Sequence, residues 1–342
     1  MKQNRTNFAR REKKHVVFMP YKAALWDCLS SVYEAARGDR HATVSVVPIP
    51  WFEMDEQGQA TVMHDETDMF PKELRILSWK KYDIRRKKPD IVFVHNPYDQ
   101  FNTVARIHEN FYLRNIRPYV RELVYVPYYV AIDGKVPKDR LMSAGLDYAD
   151  LLPVESEQVR QQYAEVFRNF WQEAGRWPEK EIELAKFQVL GSPKFDCVCC
   201  PRPQDEELPQ EWVRFLYDGS GRRKPVIFYN ITVQALYIEK GRMLDKIGRV
   251  LRICREQQEQ VALLWRPHPL YRESVAYSCP ERLAAYDELV RRYISEGWGI
   301  YDDTPDMYRS IALSDAYYGD LSSVVSLYQR TGKPIMIQKC DV

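Results

Sequence analysis

The segment Val261-Ala-Leu-Leu-Trp-Arg-Pro-His-Pro-Leu270 places one guanidinium and one imidazole at the end of an apolar run. A run of this length followed by Arg266-Pro-His268-Pro reads as a buried strand that delivers both groups to its carboxyl end. Pro267 and Pro269 cannot donate ladder hydrogen bonds, so pairing is expected to stop at Pro267. Each Pro also keeps the residue before it extended. In open α/β sheets, ligands bind outside the carboxyl ends of the strands. Arg offers a planar fork of donors and His a proton that titrates near neutrality, which together suit a phosphate. The bland alternative is a strand followed by a Pro-rich turn.

A second anion site is expected downstream, where Gly319-Asp-Leu-Ser-Ser323 joins a strand to a helix. Ser322 is the predicted N-cap, and the first free amides of a helix carry partial positive charge suited to phosphate oxygens. Gly319 leaves room for close approach. Asp320 would repel phosphate at short range, so it is expected to orient His268 or a loop amide. A third candidate is His95, which follows the apolar run Pro89–Val94 just before Asn96-Pro97.

The elements that must position these groups alternate strand and helix. Strands are predicted at 15–19, 43–49, 89–94, 123–126, 151–152 and 187–190, with a helix over 23–37 and another from a Ser156 cap to about Ala174. Residues 53–88 are polar and read as an excursion from the sheet. The second half repeats the pattern: strands at 226–230, 261–265, 299–301, 316–318 and 334–337. Its helices are predicted at 236–256, 281–295, 305–312 with a Thr304 cap, and 322–330. This predicts an α/β chain of two Rossmann-like domains with parallel sheets. The boundaries are a basic flexible N-terminus over 1–14, a first domain over 15–200, a linker region over 201–224 and a second domain over 225–342.

Net charge is +2 over 342 residues, with 29% charged and 45% hydrophobic, which is a soluble globular composition and argues against nucleic acid as a partner. No run is long enough to span a membrane and no secretory signal is visible, so a cytoplasmic location is expected. Residues 1–14 read first as a solvated terminus; a peripheral contact with an anionic membrane face is the second reading. The Cys197, Cys199, Cys200 cluster lacks metal-ligand spacing, and Asp302-Asp303 reads as a solvated loop, so no metal and no cofactor are expected.

These motifs resemble a known family. Arg266-Pro-His268-Pro, then Ser314-Asp-Ala-Tyr-Tyr-Gly-Asp320-Leu-Ser322-Ser323 and Gly332-Lys-Pro-Ile, is similar to the CDP-glycerol glycerophosphotransferases, the teichoic-acid primases and polymerases of GT-B fold. Gly191-Ser-Pro-Lys-Phe-Asp196 and Phe228-Tyr-Asn-Ile-Thr232 resemble two further segments of that family. The likeness covers about 187–337. It implies transfer of a polyol phosphate from a CDP-activated donor to a lipid-linked or polymer acceptor. The donor would be bound by Arg266, Asp320, Ser322, Ser323, Thr232 and Ser192, with His268 catalytic.

Two departures stand out. Tyr125-Val-Pro-Tyr-Tyr129 occupies the place of a family motif that carries a His, so His95 is the expected replacement for the acceptor base, with Asp99 to orient it. The chain also ends just after its last strand, short of the helix by which GT-B chains cross back, and reads as shortened. Another GT-B glycosyltransferase or 2-epimerase, or a non-catalytic nucleotide-binding homologue, are the alternative readings.

Overall fold

A computed structural model describes residues 13–199 and 201–339. The expected flexible terminus, Cys200 and the expectation about a closing helix therefore fall largely or wholly outside the described residues. The chain divides into two compact units, Met1–Lys194 and Phe195–Val342.

The first unit holds β1 (Lys14–Met19), β2 (Ala42–Val46), β3 (Trp51–Met54), β4 (Ala60–His64), β5 (Ile91–Val94), β6 (Ala105–Ile107), β7 (Glu122–Tyr125), β8 (Leu152–Val154) and β9 (Phe187–Val189). Four form a parallel sheet in the order β2-β1-β5-β7, and a bridge between Val124 and Leu151 leads to the parallel pair β8-β9. Val17, Phe18, Val92, Leu123 and Tyr125 have essentially no exposure, as expected where helices cover both faces of a parallel sheet. The helix Glu157–Glu173 starts at Ser156, whose hydroxyl accepts from the Val159 amide.

The excursion 53–88 opens with a small sheet of its own: β3 and β4 form an antiparallel hairpin, to which β6 adds. Its turn is held by Asp55, whose carboxylate accepts from the Gln57 and Gln59 amides, and by Gly58 at φ +75°. Most of β4 is exposed, so its composition shows little apolar pattern. The helix over 23–37 is instead a 3-10 segment, Ala23–Cys28, followed by an α-helix, Ser30–Gly38.

The second unit holds β10 (Val226–Ile231), β11 (Ala262–Pro267), β12 (Ile300–Tyr301), β13 (Ala316–Gly319) and β14 (Ile335–Ile337), all parallel, in the order β12-β11-β10-β13-β14. One face packs Tyr229, Leu263 and Trp265 on the helices Gly241–Glu256, Tyr271–Ser278 and Leu283–Glu296. The segment 201–224 is packed into this unit through Leu208, Trp212, Phe215 and Leu216. The helix expected over 236–256 is broken at Lys240, at φ +51°, into Val233–Glu239 and Gly241–Glu256. The helix after β12 is Met307–Leu313 and is capped by Asp306, not Thr304.

Pairing does not stop at Pro267. That residue is in register with Ile231, and the next amide, His268, still donates to the Ile231 carbonyl at 3.0 Å. In a parallel ladder, alternate residues direct their hydrogen bonds to opposite neighbours. The even residues of β11 face β10, while the missing N–H of Pro267 faces the β12 side, where that short strand has already ended. The proline therefore forfeits no ladder bond.

Arg266, Asn230 and Gly319 lie in one row across β11, β10 and β13. Strands are about 4.8 Å apart, so the outer two backbones are about 10 Å apart. The row is tight: a Cβ on Gly319, at φ +158°, would lie 2.0 Å from the Asn230 carbonyl oxygen. Gly319→Ala is expected to destabilise by about 3 kcal/mol or more. Gly219→Ala, where a Cβ meets nothing within 4 Å, should change stability by no more than about 0.5 kcal/mol. Urea unfolding midpoints check both.

Candidate functional site

The carboxyl edge of the second sheet is built from three strand ends. Arg266, at the end of β11, is buried, and its Nη1 donates to Asp302 Oδ2 at 2.5 Å. Asp302 has no exposure at all. Its amide donates to the Trp265 carbonyl, extending the β11–β12 ladder. Its Oδ1 accepts from the Thr304 amide and hydroxyl, and the Ser310 hydroxyl donates to Oδ2. The solvated-loop reading of Asp302 is therefore wrong. It is the fully buried counter-ion of Arg266, a role that burial demands of any guanidinium. Nothing local to Asp302 signals this role, because its partner lies 36 residues earlier in the chain.

His268 projects beyond the edge. Its Nδ1 accepts from the Leu270 amide at 3.1 Å, so the neutral ring carries its proton on Nε2. Partial desolvation lowers its pKa from the usual histidine value, so the ring is neutral at pH 7. Arg266 and His268 share a cleft of about 400 Å³ with Arg272, Tyr286, Asp302 and Thr304, a size suited to a small ligand. The helix Tyr271–Ser278, absent from the sequence reading, supplies part of its wall.

Thr232, Asp320 and Ser322 stand at the adjoining ends of β10 and β13 and do not line that cleft. Asp320 is buried. Its Oδ2 accepts from the Thr232 amide at 2.6 Å and from the Thr232 hydroxyl, and its Oδ1 from Gln338 Nε2. Burial raises its pKa, against the lowering effect of those hydrogen bonds. Asp320 thus orients a loop amide, one of the two roles expected of it, and its carboxylate oxygens are occupied. Thr232 caps Val233–Glu239, and Ser322 caps Ser323–Tyr328 by accepting from the Val324 amide. Ser323 is exposed on the first turn. Asn230 and Tyr317, which sequence reasoning gave no role, tie the row together: Asn230 Nδ2 donates to the Arg266 carbonyl and the Tyr317 hydroxyl donates to the Asp320 carbonyl.

Two expected site residues belong to the first unit. Ser192 Oγ accepts from the Lys194 amide at 3.4 Å and starts a helical turn. His95 is fully buried, and its Nε2 accepts from the Tyr21 amide at 3.0 Å. Burial, helped by the nearby Lys194 charge, pushes its pKa down to about 3. The expectation of His95 as a base open to an acceptor hydroxyl is corrected accordingly. Asp99 does not orient it either, since its Oδ1 accepts from the Leu113 amide. No helix among the described residues is long and apolar enough to cross a membrane.

Removing Asp302 would leave a buried guanidinium unpaired. Asp302→Ala is expected to cost about 3–5 kcal/mol, and the double change Arg266→Met with Asp302→Leu to recover much of it. Equilibrium unfolding of the single and double variants measures this.

No family model and no curated protein matches this chain. Solved structures do. A UDP-N-acetylglucosamine 2-epimerase aligns over 96% of this chain and 79% of its own at 12% identity, with a TM-score of 0.55. The UDP-GlcNAc 2-epimerase of Methanocaldococcus jannaschii aligns over 94% and 82%, also at 12% identity, with a TM-score of 0.53. The wall teichoic acid polymerase TagF aligns over 95% and 69% at 15% identity, with a TM-score of 0.47, too low to carry an argument. At such identities likeness speaks for architecture alone: the chain has the two-domain, Rossmann-like GT-B fold.

Proposed function

We propose that this chain is an enzyme that transfers glycerol phosphate, or a related polyol phosphate, from a CDP-activated donor to a hydroxyl of a wall- or capsule-polymer acceptor. The observation that carries the reading is the cleft at the end of β11, where Arg266 and His268 lie together beyond a parallel sheet. The spelling Arg-Pro-His-Pro followed by Asp-Leu-Ser-Ser in the same sheet favours the CDP-polyol class among nucleotide donors.

In this reading the acceptor hydroxyl loses its proton to water as its oxygen bonds to the β-phosphorus, while the bond to the bridging oxygen breaks and CMP departs. Arg266 keeps one nitrogen on Asp302 and uses its other N–H groups on the diphosphate. His268 donates from Nε2 to a phosphate oxygen. The second ionisation of a phosphate monoester lies near 6, so CMP leaves without needing a proton at neutral pH. Catalysis then rests on placing donors around spreading charge. Ser322 and Ser323 offer hydroxyls at the neighbouring strand end, while Thr232 is held by Asp320 through its amide and hydroxyl and serves as support.

The second reading is a nucleotide-sugar 2-epimerase, favoured by the fold likeness with TM-scores of 0.53 and 0.55. Incubation with CDP-glycerol and a glycerol-phosphate-primed lipid acceptor is expected to release CMP, with UDP-GlcNAc left unepimerised. Epimerised UDP-GlcNAc with no CMP release would replace the first reading by the second. His268→Ala should lower turnover by about 100-fold or more while the fold persists.

A pH test follows from the lowered His268 pKa. A bound diphosphate stabilises the imidazolium and raises that pKa, so affinity for CDP-glycerol should strengthen as pH falls from 8 toward about 6. His268→Gln should remove most of that slope, which calorimetric titration at several pH values would show.

A further inference from the structure

We propose that a cleft of the first unit, built around Asp99, binds a small organic cation: a primary ammonium on an apolar body. This goes beyond the function proposed above, and none of its residues lines the cleft at Arg266. The cleft has a volume of about 620 Å³. Asp99 lies in the loop after β5 and is 1% exposed. Its Oδ1 accepts from the Leu113 amide, but its Oδ2 is buried with no hydrogen-bond partner. Gln100 Oε1 and Ser143 Oγ, which belong to two other lining residues, are also buried and unpartnered.

Leaving a buried acceptor unsatisfied is costly, and more so for a charged one. Three buried acceptors without donors in the wall of one cleft call for N–H donors, of which a primary ammonium supplies three. The charges agree: Asp99, Asp139 and Asp147 line the cleft against the single guanidinium of Arg114. An anion would meet these carboxylates. A neutral polyol would satisfy the acceptors and leave the Asp99 charge uncompensated. A metal ion fits poorly, since no group of three His, Cys, Asp or Glu among the described residues could hold one.

The remaining wall suits an apolar body. Phe101 is 66% exposed and Phe170 is 40% exposed, both at this cleft, and aromatic faces attract ammonium groups as well as hydrocarbon. Burial also pushes the Asp99 pKa up to about 6. The Leu113 and Arg114 amides and the Arg114 charge offset that burial only in part, so the ionised carboxylate is a state that a bound cation stabilises further.

The test is calorimetric titration of the full chain with hexylammonium chloride and, separately, with hexan-1-ol. Hexylammonium is expected to bind saturably, and hexanol at least about tenfold more weakly. Asp99→Asn removes the charge, tolerates the φ of +47° at this residue and retains an acceptor for Leu113. It should cut hexylammonium affinity by at least about tenfold. Should that variant fail to fold by circular dichroism, Ser143→Ala serves instead, with an expected loss of about threefold. Equal binding of the two probes, no saturation, or unchanged affinity in a folded variant would overturn the proposal.

Discussion

The carboxyl edge of the second sheet depends on the buried ion pair between Arg266 and Asp302. A guanidinium at the last inward-facing position of β11 would be untenable alone, because desolvating an ion costs several kcal/mol. Asp302 answers it from the end of β12 with no solvent exposure. The pair also fixes backbone. Asp302 donates its amide to Trp265, binds both polar groups of Thr304 and accepts from Ser310. The loop after β12 and the helix Met307–Leu313 are thereby registered against β11. Such a pair contributes less to net stability than to geometry, since much of its attraction offsets the cost of burial. What it delivers is one guanidinium fixed in the wall of the cleft.

Asp320 does the corresponding work on the other side of β10. It joins Thr232 to Gln338, and so ties the ends of β10, β13 and the chain after β14 together. Asn230 sits between the two acids and holds the Arg266 carbonyl, while the Gly319 backbone presses against its own. Both buried acids at this edge are therefore committed to the frame. The groups left for a ligand include the donors Arg266 and His268 and the exposed Ser323. With Asp302 and Asp320 committed to the frame and Asp287 paired with Arg272, the cations of the cleft face one exposed acid, Asp303, a balance that still suits an anionic ligand.

Much of this frame was legible in the sequence. The central strands β10 and β11 of the second unit are buried on both faces, so they read as continuous apolar runs, and Pro or Gly punctuates several strand ends. Ser322 and Ser156 were legible as caps because a cap is a local device, satisfied within three residues. Features that depend on distant partners were not. Asp302 looks like any loop acid until Arg266, 36 residues earlier, is folded beside it. The hairpin β3–β4 lacks an apolar signature because most of β4 faces solvent. The break at Lys240 requires a positive φ at a residue type that rarely adopts one, and nothing in its neighbours announces it. The share of the site resting on Arg266 and His268 was therefore readable, while the share resting on their support was not.

The two histidines at strand ends show why residue type and position alone do not assign chemistry. His95 and His268 each follow an apolar strand, His268 between two prolines and His95 two residues before one. The chain beyond β1 folds over His95 and donates the Tyr21 amide to its Nε2, so the ring is sealed, kept neutral and pushed to a pKa of about 3. No base that must gain a proton near neutrality can work from that position. His268 has the opposite arrangement. Its Nδ1 is taken by the Leu270 amide of its own turn, which leaves Nε2 directed away from the backbone that holds it. Its pKa falls only through partial desolvation, and the charge of a bound anion would oppose that fall. Depth below the surface, set by which backbone amide claims which ring nitrogen, separates a structural histidine from one able to meet a phosphate.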